Sequence, residues 1–211
     1  MKVLMINGSP HKEGCVFTAL SEMAGEFERE GIDSEILWIG NKPIGGCVGC
    51  RSCAKLGKCV FDDVVNEVRE KIYAADGYVF GSPVHCASMA GNLSSFMDRL
   101  FFSANMSGQA DAFFMKPACC VVSARRAGTT VTLDQINRYF SMFQMPIVTA
   151  RYWNMVHGMT PEQVAEDKEG MQVMRELARN MAYMLRCLEA GKKAGIALPR
   201  AEDKIMTNFV R

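Results

Sequence analysis

An excess of either charge is missing from this 211-residue chain. Its 24 Lys and Arg stand against 23 Asp and Glu, a formal net charge of +1. Nucleic-acid-binding domains usually carry a basic surplus, so that class is disfavoured. Also missing is any apolar run near the ~18 residues that a membrane helix needs. The opening Met1-Lys2-Val3-Leu4-Met5-Ile6-Asn7-Gly8 turns polar too early for the core of an export signal. The expectation is a cytoplasmic protein with neither nucleic acid nor membrane as a partner. Internal repeats and low-complexity stretches are absent as well.

Hydrophobic residues make up 49% and charged residues 22%, the proportions of an ordinary globular domain with its own core. Cysteine is abundant, with nine residues. An odd count without an export signal does not read as a disulfide framework. Cys47, Cys50, Cys53 and Cys59 crowd into one short segment, whereas Cys15, Cys86, Cys119, Cys120 and Cys187 are scattered. Cys119 and Cys120 lie in an apolar run and read as small buried hydrophobes. The methionines, 16 in all, read as flexible core filling.

Hydrophobic periodicity predicts alternating strands and helices. Strands are expected at 2–7, 34–39, 77–83, 117–123 and 146–152. Helices are expected from Phe17 to Phe27, from Asp62 or Asp63 to Ala75, and over 89–102, 129–143 and 161–190. Gly31 closes the first helix and Pro161 opens the last. The alternation predicts an α/β fold, a doubly wound parallel sheet with helices on both faces. Five strands fit the flavodoxin-like order 2-1-3-4-5, with a cysteine-rich loop, residues 43–61, after strand 2. The domain is expected to span residues 1–190, leaving 191–211 as a C-terminal tail. Such sheets bind ligands at the carboxyl ends of their strands.

Three loops gather at that edge. The first, Gly8-Ser9-Pro10-His11-Lys12-Glu13-Gly14-Cys15-Val16, opens directly onto a helix, where backbone N–H groups and the helix dipole suit a phosphate. It has neither the Gly-Lys-Ser/Thr of a P-loop nor the glycine spacing of a dinucleotide fingerprint. The second runs from Ser82 to Met89 and offers the apolar edge Pro83-Val84-His85. The third, Ser123 to Gly128, offers Arg125 and Arg126.

The cysteine segment reads Cys-x2-Cys-x2-Cys-x5-Cys. Three thiolates three residues apart, on a loop loosened by Gly45, Gly46 and Gly49, can wrap one face of a cubane. Gly57 lets the chain return Cys59 as a fourth ligand. Ferredoxins use a related run, whereas zinc sites usually pair two knuckles across a longer loop. The spacing favours [4Fe–4S] over zinc, with free thiols as the plain alternative.

Taken together, GSPHKEG, SPVHCASMAGNLSSFMDR, ARRAG and the compact cysteine cluster followed by Asp62-Asp63 resemble the NAD(P)H-dependent FMN reductases, and within them the iron–sulfur flavoproteins. The match runs over roughly residues 1–185. The resemblance implies an FMN phosphate held by Ser9, His11, Gly14, Cys15, Val16 and Thr18. It implies an isoalloxazine ring against Pro83, Val84, His85, Cys86 and Ser88, and against Ala124, Arg125 and Gly128. It also implies a cluster on Cys47, Cys50, Cys53 and Cys59, and an oligomeric active unit, a homodimer or homotetramer. The chain departs from the family where His11 replaces an Arg and Cys15-Val16 replace Asn-Thr, which leaves phosphate binding to the backbone.

The expected chemistry is flavin-based, with no triad or general base. NAD(P)H reduces FMN, and electrons pass to a small acceptor such as a quinone, flavin, nitro or azo compound. Two alternatives stand beside it. One is an electron-transfer flavoprotein fed by ferredoxin. The other is a non-catalytic protein with a structural metal in the cysteine loop.

Overall fold

The computed structural model describes residues 1–200, 202, 203 and 205–207. The first apolar run forms β1 (Lys2–Asn7). Leu4 and Ile6 enter one buried cluster and Val3 and Met5 the other. Successive side chains of a strand point to opposite faces, so burial on both sides requires an unbroken apolar run. There follow α1 (Cys15–Arg29), β2 (Asp33–Trp38), α2 (Cys53–Leu56), α3 (Val64–Glu67), α4 (Arg69–Ala74), β3 (Gly77–His85), β4 (Ser88–Met89) and α5 (Gly91–Met106). The chain continues through a 3-10 turn to β5 (Ala118–Ala124), α6 (Thr129–Met142), β6 (Met155–His157), α7 (Pro161–Glu166) and α8 (Lys168–Lys193).

The strands lie in the order β2-β1-β3-β5-β6, with every neighbouring pair parallel and β4 folded back antiparallel on β3. This is the flavodoxin-like sheet expected from the alternation of elements. One face packs on α5 and α6 through Phe80, Phe96, Phe101 and Phe140. The other packs on α1 and α8 through Phe27, Met174, Leu177 and Met181. Ion pairs Arg175–Glu22, Arg179–Glu26 and Arg186–Glu30 run along the α1–α8 seam. Among the described residues, no helix is long and apolar enough to cross a membrane.

Several element boundaries differ from the periodicity. The edge strand is β6 at Met155–His157, not 146–152. Val148 donates its N–H to the Ala118 carbonyl, and the chain then leaves the sheet. It returns where the Val122 N–H reaches the Asn154 carbonyl at 3.0 Å. The apolar 146–148 touches the sheet and its continuation does not. The helix expected over 62–75 is two short helices meeting at Val68. The last helix breaks at Asp167, whose carboxylate caps α8 at the Gly170 N–H and also accepts the His157 N–H at 2.7 Å. Helix α8 runs to Lys193. Residues 201, 204 and 208–211 of the expected tail lie outside the described residues.

Candidate flavin edge and cysteine cavity

The carboxyl ends of β1, β3 and β5 meet at one edge. Asn7 and Gly81 are register partners, and the Gly8 N–H donates to the Gly81 carbonyl at 2.9 Å. A Cβ on Gly8 would stand 2.8 Å from Leu93 and 2.9 Å from the Gly81 oxygen, so only glycine lets the chain leave β1 this close to β3. The loop is cinched by its own polar groups. Asn7 accepts the Ser9 N–H at 3.0 Å and donates to the Lys12 carbonyl at 2.9 Å. Ser9 Oγ accepts the His11 N–H, and the Trp38 indole donates to the Ser9 carbonyl.

With these bonds made, the N–H groups of Lys12 through Phe17 have no acceptor among the described residues. Helix α1 starts after Gly14 without a side-chain cap. A run of free N–H groups at a helix N-terminus is an anion nest, and it fits a phosphate monoester. Ser9 is buried with its hydroxyl proton unspent, whereas the Thr18 hydroxyl donates back to the Gly14 carbonyl. Val16 is buried beneath the loop, and Cys15 points its thiol at the Gly158 carbonyl. The donors on offer are therefore Ser9 and the backbone, with His11 and Lys12 exposed beside them.

Beyond Pro83, β3 turns into a hairpin. Val84 pairs with Met89 and His85 with Ser88, so Cys86 and Ala87 form a two-residue turn, both with positive φ, 50° and 56°. That is the territory of Asn-Gly, and neither residue is glycine. The hairpin is pinned from α6, where Gln135 accepts both the Ser88 hydroxyl at 2.9 Å and the Met89 N–H at 3.0 Å. It also seats against the β5–α6 turn. Gly128 has φ +91°, and a Cβ there would lie 2.8 Å from the Ala87 Cα. Pro83 and Ser123 are register partners, which places Ala124 beside the hairpin. Arg125 and Arg126 are exposed at this mouth and unpaired among the described residues. The edge thus brings together all three loops singled out from the sequence. It adds His157, which the sequence did not suggest, as the register partner of Ala124.

The cysteine loop closes around its own cavity. Cys47, Cys50, Cys53 and Cys59 all line one small cavity, of about 20 Å3, floored by Arg99 and Ser103 of α5. All nine cysteines are free thiols. Arg99 is 1% exposed and holds the loop together. Its Nε donates to Cys59 Sγ at 3.2 Å, its Nη1 to the Gly45 carbonyl, and its Nη2 to the Phe61 carbonyl. The guanidinium also forks onto Asp63 and lies 4.9 Å over the Phe61 ring. Asn66 accepts the Cys59 N–H and donates to the Cys59 carbonyl. Asn92, two turns before Arg99 on α5, accepts the Ile44 N–H and donates to the Lys42 carbonyl. Hydrogen bonds from the Ser52 hydroxyl and N–H hold the Cys50 thiol below its ordinary pKa, and burial pushes that of Cys53 up. Among the described residues, no three His, Cys, Asp or Glu side chains converge on a single metal ion. The four thiols instead ring a volume.

A parallel doubly wound sheet with an anion nest at its carboxyl edge places the molecule among the flavodoxin-like redox proteins. The chain belongs to the NADPH-dependent FMN reductase family, whose sequence pattern matches residues 1–160, and it is an oxidoreductase. It is 30% identical over 200 residues to an iron-sulfur flavoprotein of Methanocaldococcus jannaschii, covering 90% of this chain and 100% of the relative. It is 27% identical over 199 residues to an iron-sulfur flavoprotein of Methanosarcina thermophila, covering 91% and 99%. The fold superposes on a flavoenzyme NAD(P)H:(acceptor) oxidoreductase of Paracoccus denitrificans with a TM-score of 0.65 at 13% identity, covering 88% of this chain and 97% of that one.

The sequence motifs do not single out the hub residue Arg99. Its signal was available, because a charged residue among Phe96, Met97, Leu100 and Phe101 on the apolar face of a helix has to find a buried partner.

Proposed function

We propose that the chain binds FMN at the carboxyl edge, takes electrons from NAD(P)H and passes them to a small acceptor such as a quinone, flavin, nitro or azo compound. Cys47, Cys50, Cys53 and Cys59 hold a [4Fe–4S] cluster in this reading. The observation that carries it is the pairing of a free N–H nest with four thiols around one cavity. A lone zinc draws its ligand sulfurs to about 2.3 Å, and no three of these thiols converge on one ion among the described residues; four thiols at a ferredoxin-like spacing around one cavity support a polynuclear cluster.

Bound FMN supplies two-electron exchange with a pyridine nucleotide and single-electron release to a cluster. The residues bind and tune. Ser9, with the N–H groups of Lys12 to Phe17, holds the phosphate beside His11, Gly14, Cys15 and Thr18. The hairpin residues Pro83, Val84, His85, Cys86 and Ser88 face the ring with Ala124 and Gly128. Arg125 and Arg126 place positive charge where a reduced ring gains negative charge. Arg99 donates to Cys59 Sγ and sets a buried positive charge beside the cavity.

A ferredoxin-fed reading is favoured by one feature, the apolar rim of the cysteine cavity. Val48 and Val60 are 65% and 47% exposed there, which suits a protein electron donor or a second copy of the chain in a homodimer or homotetramer. The free thiols suit the reducing cytoplasm.

The test is an anaerobic preparation with iron, sulfide and released flavin counted, followed by mixing with NADPH or NADH. FMN, near four iron per chain and rapid bleaching are expected. FAD, or no flavin after reconstitution, sinks the flavin assignment. Bleaching by reduced ferredoxin alone moves the donor to the second reading.

A further inference from the structure

Where the chain leaves the sheet between Val148 and Asn154, it opens an unassigned groove against α6. The space is about 540 Å3, within the range of small-molecule pockets. One wall is the face of α6 bearing Thr130, Asp134 and Asn137, and the other is the excursion bearing Tyr152, Trp153 and Asn154. Thr130 stands two residues past Gly128, so the upper end of the groove adjoins the flavin edge.

Three observations mark this as a built site. First, Tyr152 and Trp153 are 51% and 56% exposed, yet their rings hold each other edge to face, centroids 4.8 Å apart at 61°. Second, the excursion that carries them is tied down. Arg151 is paired with Glu176 of α8 at 2.5 Å, and Asn180 donates to the Thr149 carbonyl at 2.7 Å. Third, Asn154 lines the groove, and its side-chain amide is open there with no hydrogen-bond partner among the described residues. It keeps both a donor and an acceptor for a ligand. Nearby, Asn137 accepts the Cys120 thiol through Oδ1 at 3.3 Å, which leaves its NH2 to donate. The Asp134 carboxylate is exposed and unpaired among the described residues, an acceptor one helical turn away.

We propose that this groove binds the adenine half of the pyridine dinucleotide, a proposal that rests on NAD(P)H being the electron donor. Exposed aromatic rings offer a stacking platform for a flat heterocycle. An acceptor at Asp134 and a donor at Asn137 match a ring edge that carries an exocyclic amine beside a ring nitrogen. An amide is suited to pairing both groups at once. Asp134 disfavours a quinone, which has only acceptors on its rim. The groove leads up α6 past Thr130, so a dinucleotide anchored here lays its nicotinamide toward the flavin loops.

The probe is 5′-AMP, added to the FMN-loaded protein while tryptophan emission is followed. Saturable quenching is expected in the wild type at millimolar AMP or below. It is expected to vanish in Trp153→Phe, whose remaining tryptophan, Trp38, sits at the phosphate loop. Asp134→Ala, an exposed position that the fold does not need, is expected to weaken AMP about tenfold. The same variant should raise KM for NAD(P)H about tenfold with kcat held. Its efficiency with NAD(P)H should drop relative to reduced nicotinamide mononucleotide, which has no adenine. Bleaching by NADPH without any AMP quenching overturns the groove and leaves the donor assignment intact. AMP quenching without bleaching by either nucleotide upholds the groove as an adenylate site and removes NAD(P)H as donor. Quenching by 1,4-naphthoquinone but not by AMP overturns the proposal in favour of an acceptor site.

Discussion

Arg99 grips Asp63 with both arms of its guanidinium, Nη1 to Oδ2 at 2.6 Å and Nη2 to Oδ1 at 2.8 Å, while Asp63 Oδ1 also caps α3 through the Val65 N–H at 3.1 Å. One carboxylate thus starts the helix after the cysteine loop and neutralises the cation beneath it. Burial lowers the guanidinium pKa, and its hydrogen bonds to Asp63 and Cys59 more than reverse that. Removing one partner of a fully buried pair costs about 3–5 kcal/mol. The Asp63 side chain is 33% exposed, so Asp63→Ala is expected to cost about 2–3 kcal/mol. Urea unfolding measures this, and a loss under 0.5 kcal/mol would show that water replaces the carboxylate at little cost.

Replacing Cys50 by Ser exchanges a soft thiolate for a hard, poorly ionised oxygen. Iron and sulfide should fall to a small fraction of the wild-type content after anaerobic reconstitution, with FMN per chain unchanged. Equal iron in both proteins would remove Cys50 from the ligand set.

Ser9→Ala should weaken FMN binding roughly 10- to 150-fold, the equivalent of the about 1.5–3 kcal/mol of a hydrogen bond to a charged group. The substitution also strips the His11 N–H of its acceptor, so the loop itself loosens. Fluorescence quenching of FMN gives the affinity, and no change would place the phosphate outside this loop.

Cys86 and Ala87 occupy the left-handed region without being glycine, at about 1–2 kcal/mol per residue. Ala87→Gly is expected to raise stability by about 1 kcal/mol. Gln135→Ala is expected to lower FMN affinity, because it frees both hydrogen bonds that pin the hairpin. If Ala87→Gly leaves the unfolding midpoint where it was, the turn is relaxed in solution.

Acid should weaken the α1–α8 seam. Burial would raise the Glu26 carboxyl, but hydrogen bonds from Arg179 and Arg29 hold it below its ordinary value. A carboxyl depressed in the folded state adds stability above its unfolded pKa, about 4.3, and loses it as pH falls through the folded value. Glu26→Gln should therefore lower stability at pH 7 by about 1–3 kcal/mol and flatten the decline below pH 5. An unchanged acid limb would assign that decline to other carboxylates.

What could be read from the sequence follows the range of the forces involved. The sheet order came from apolar runs and their spacing, because β1, β3 and β5 are buried on both faces. The three loops came with it, since strand ends fix where loops begin. The edge strand was misplaced because Pro146-Ile147-Val148 and Met155-Val156 are equally apolar, and only the contact with β5 decides which pairs. The hairpin was hidden because Cys86-Ala87 carries no turn signature, its geometry being enforced by Gln135 and Gly128 from the next helix. Arg99 pairs across a long sequence separation with Asp63, Gly45 and Cys59, and no local pattern announces such a partner.

Helix α5 touches the flavin edge at its start and the cysteine cavity further on. Ala90, just before it, donates to Ser82 at the base of the hairpin. Asn92 and Arg99 then clamp both limbs of the cysteine loop. From Ala90 to Arg99 the axis advances about 13 Å at the usual helical rise. One rigid rod therefore sets the gap between the two sites. The loop can lengthen, shorten or lose its thiols in a descendant without altering the sheet. It cannot shift toward or away from the edge unless α5 itself is cut or spliced. What the loop holds and how far it stands from the edge are thus set by separate parts of the chain.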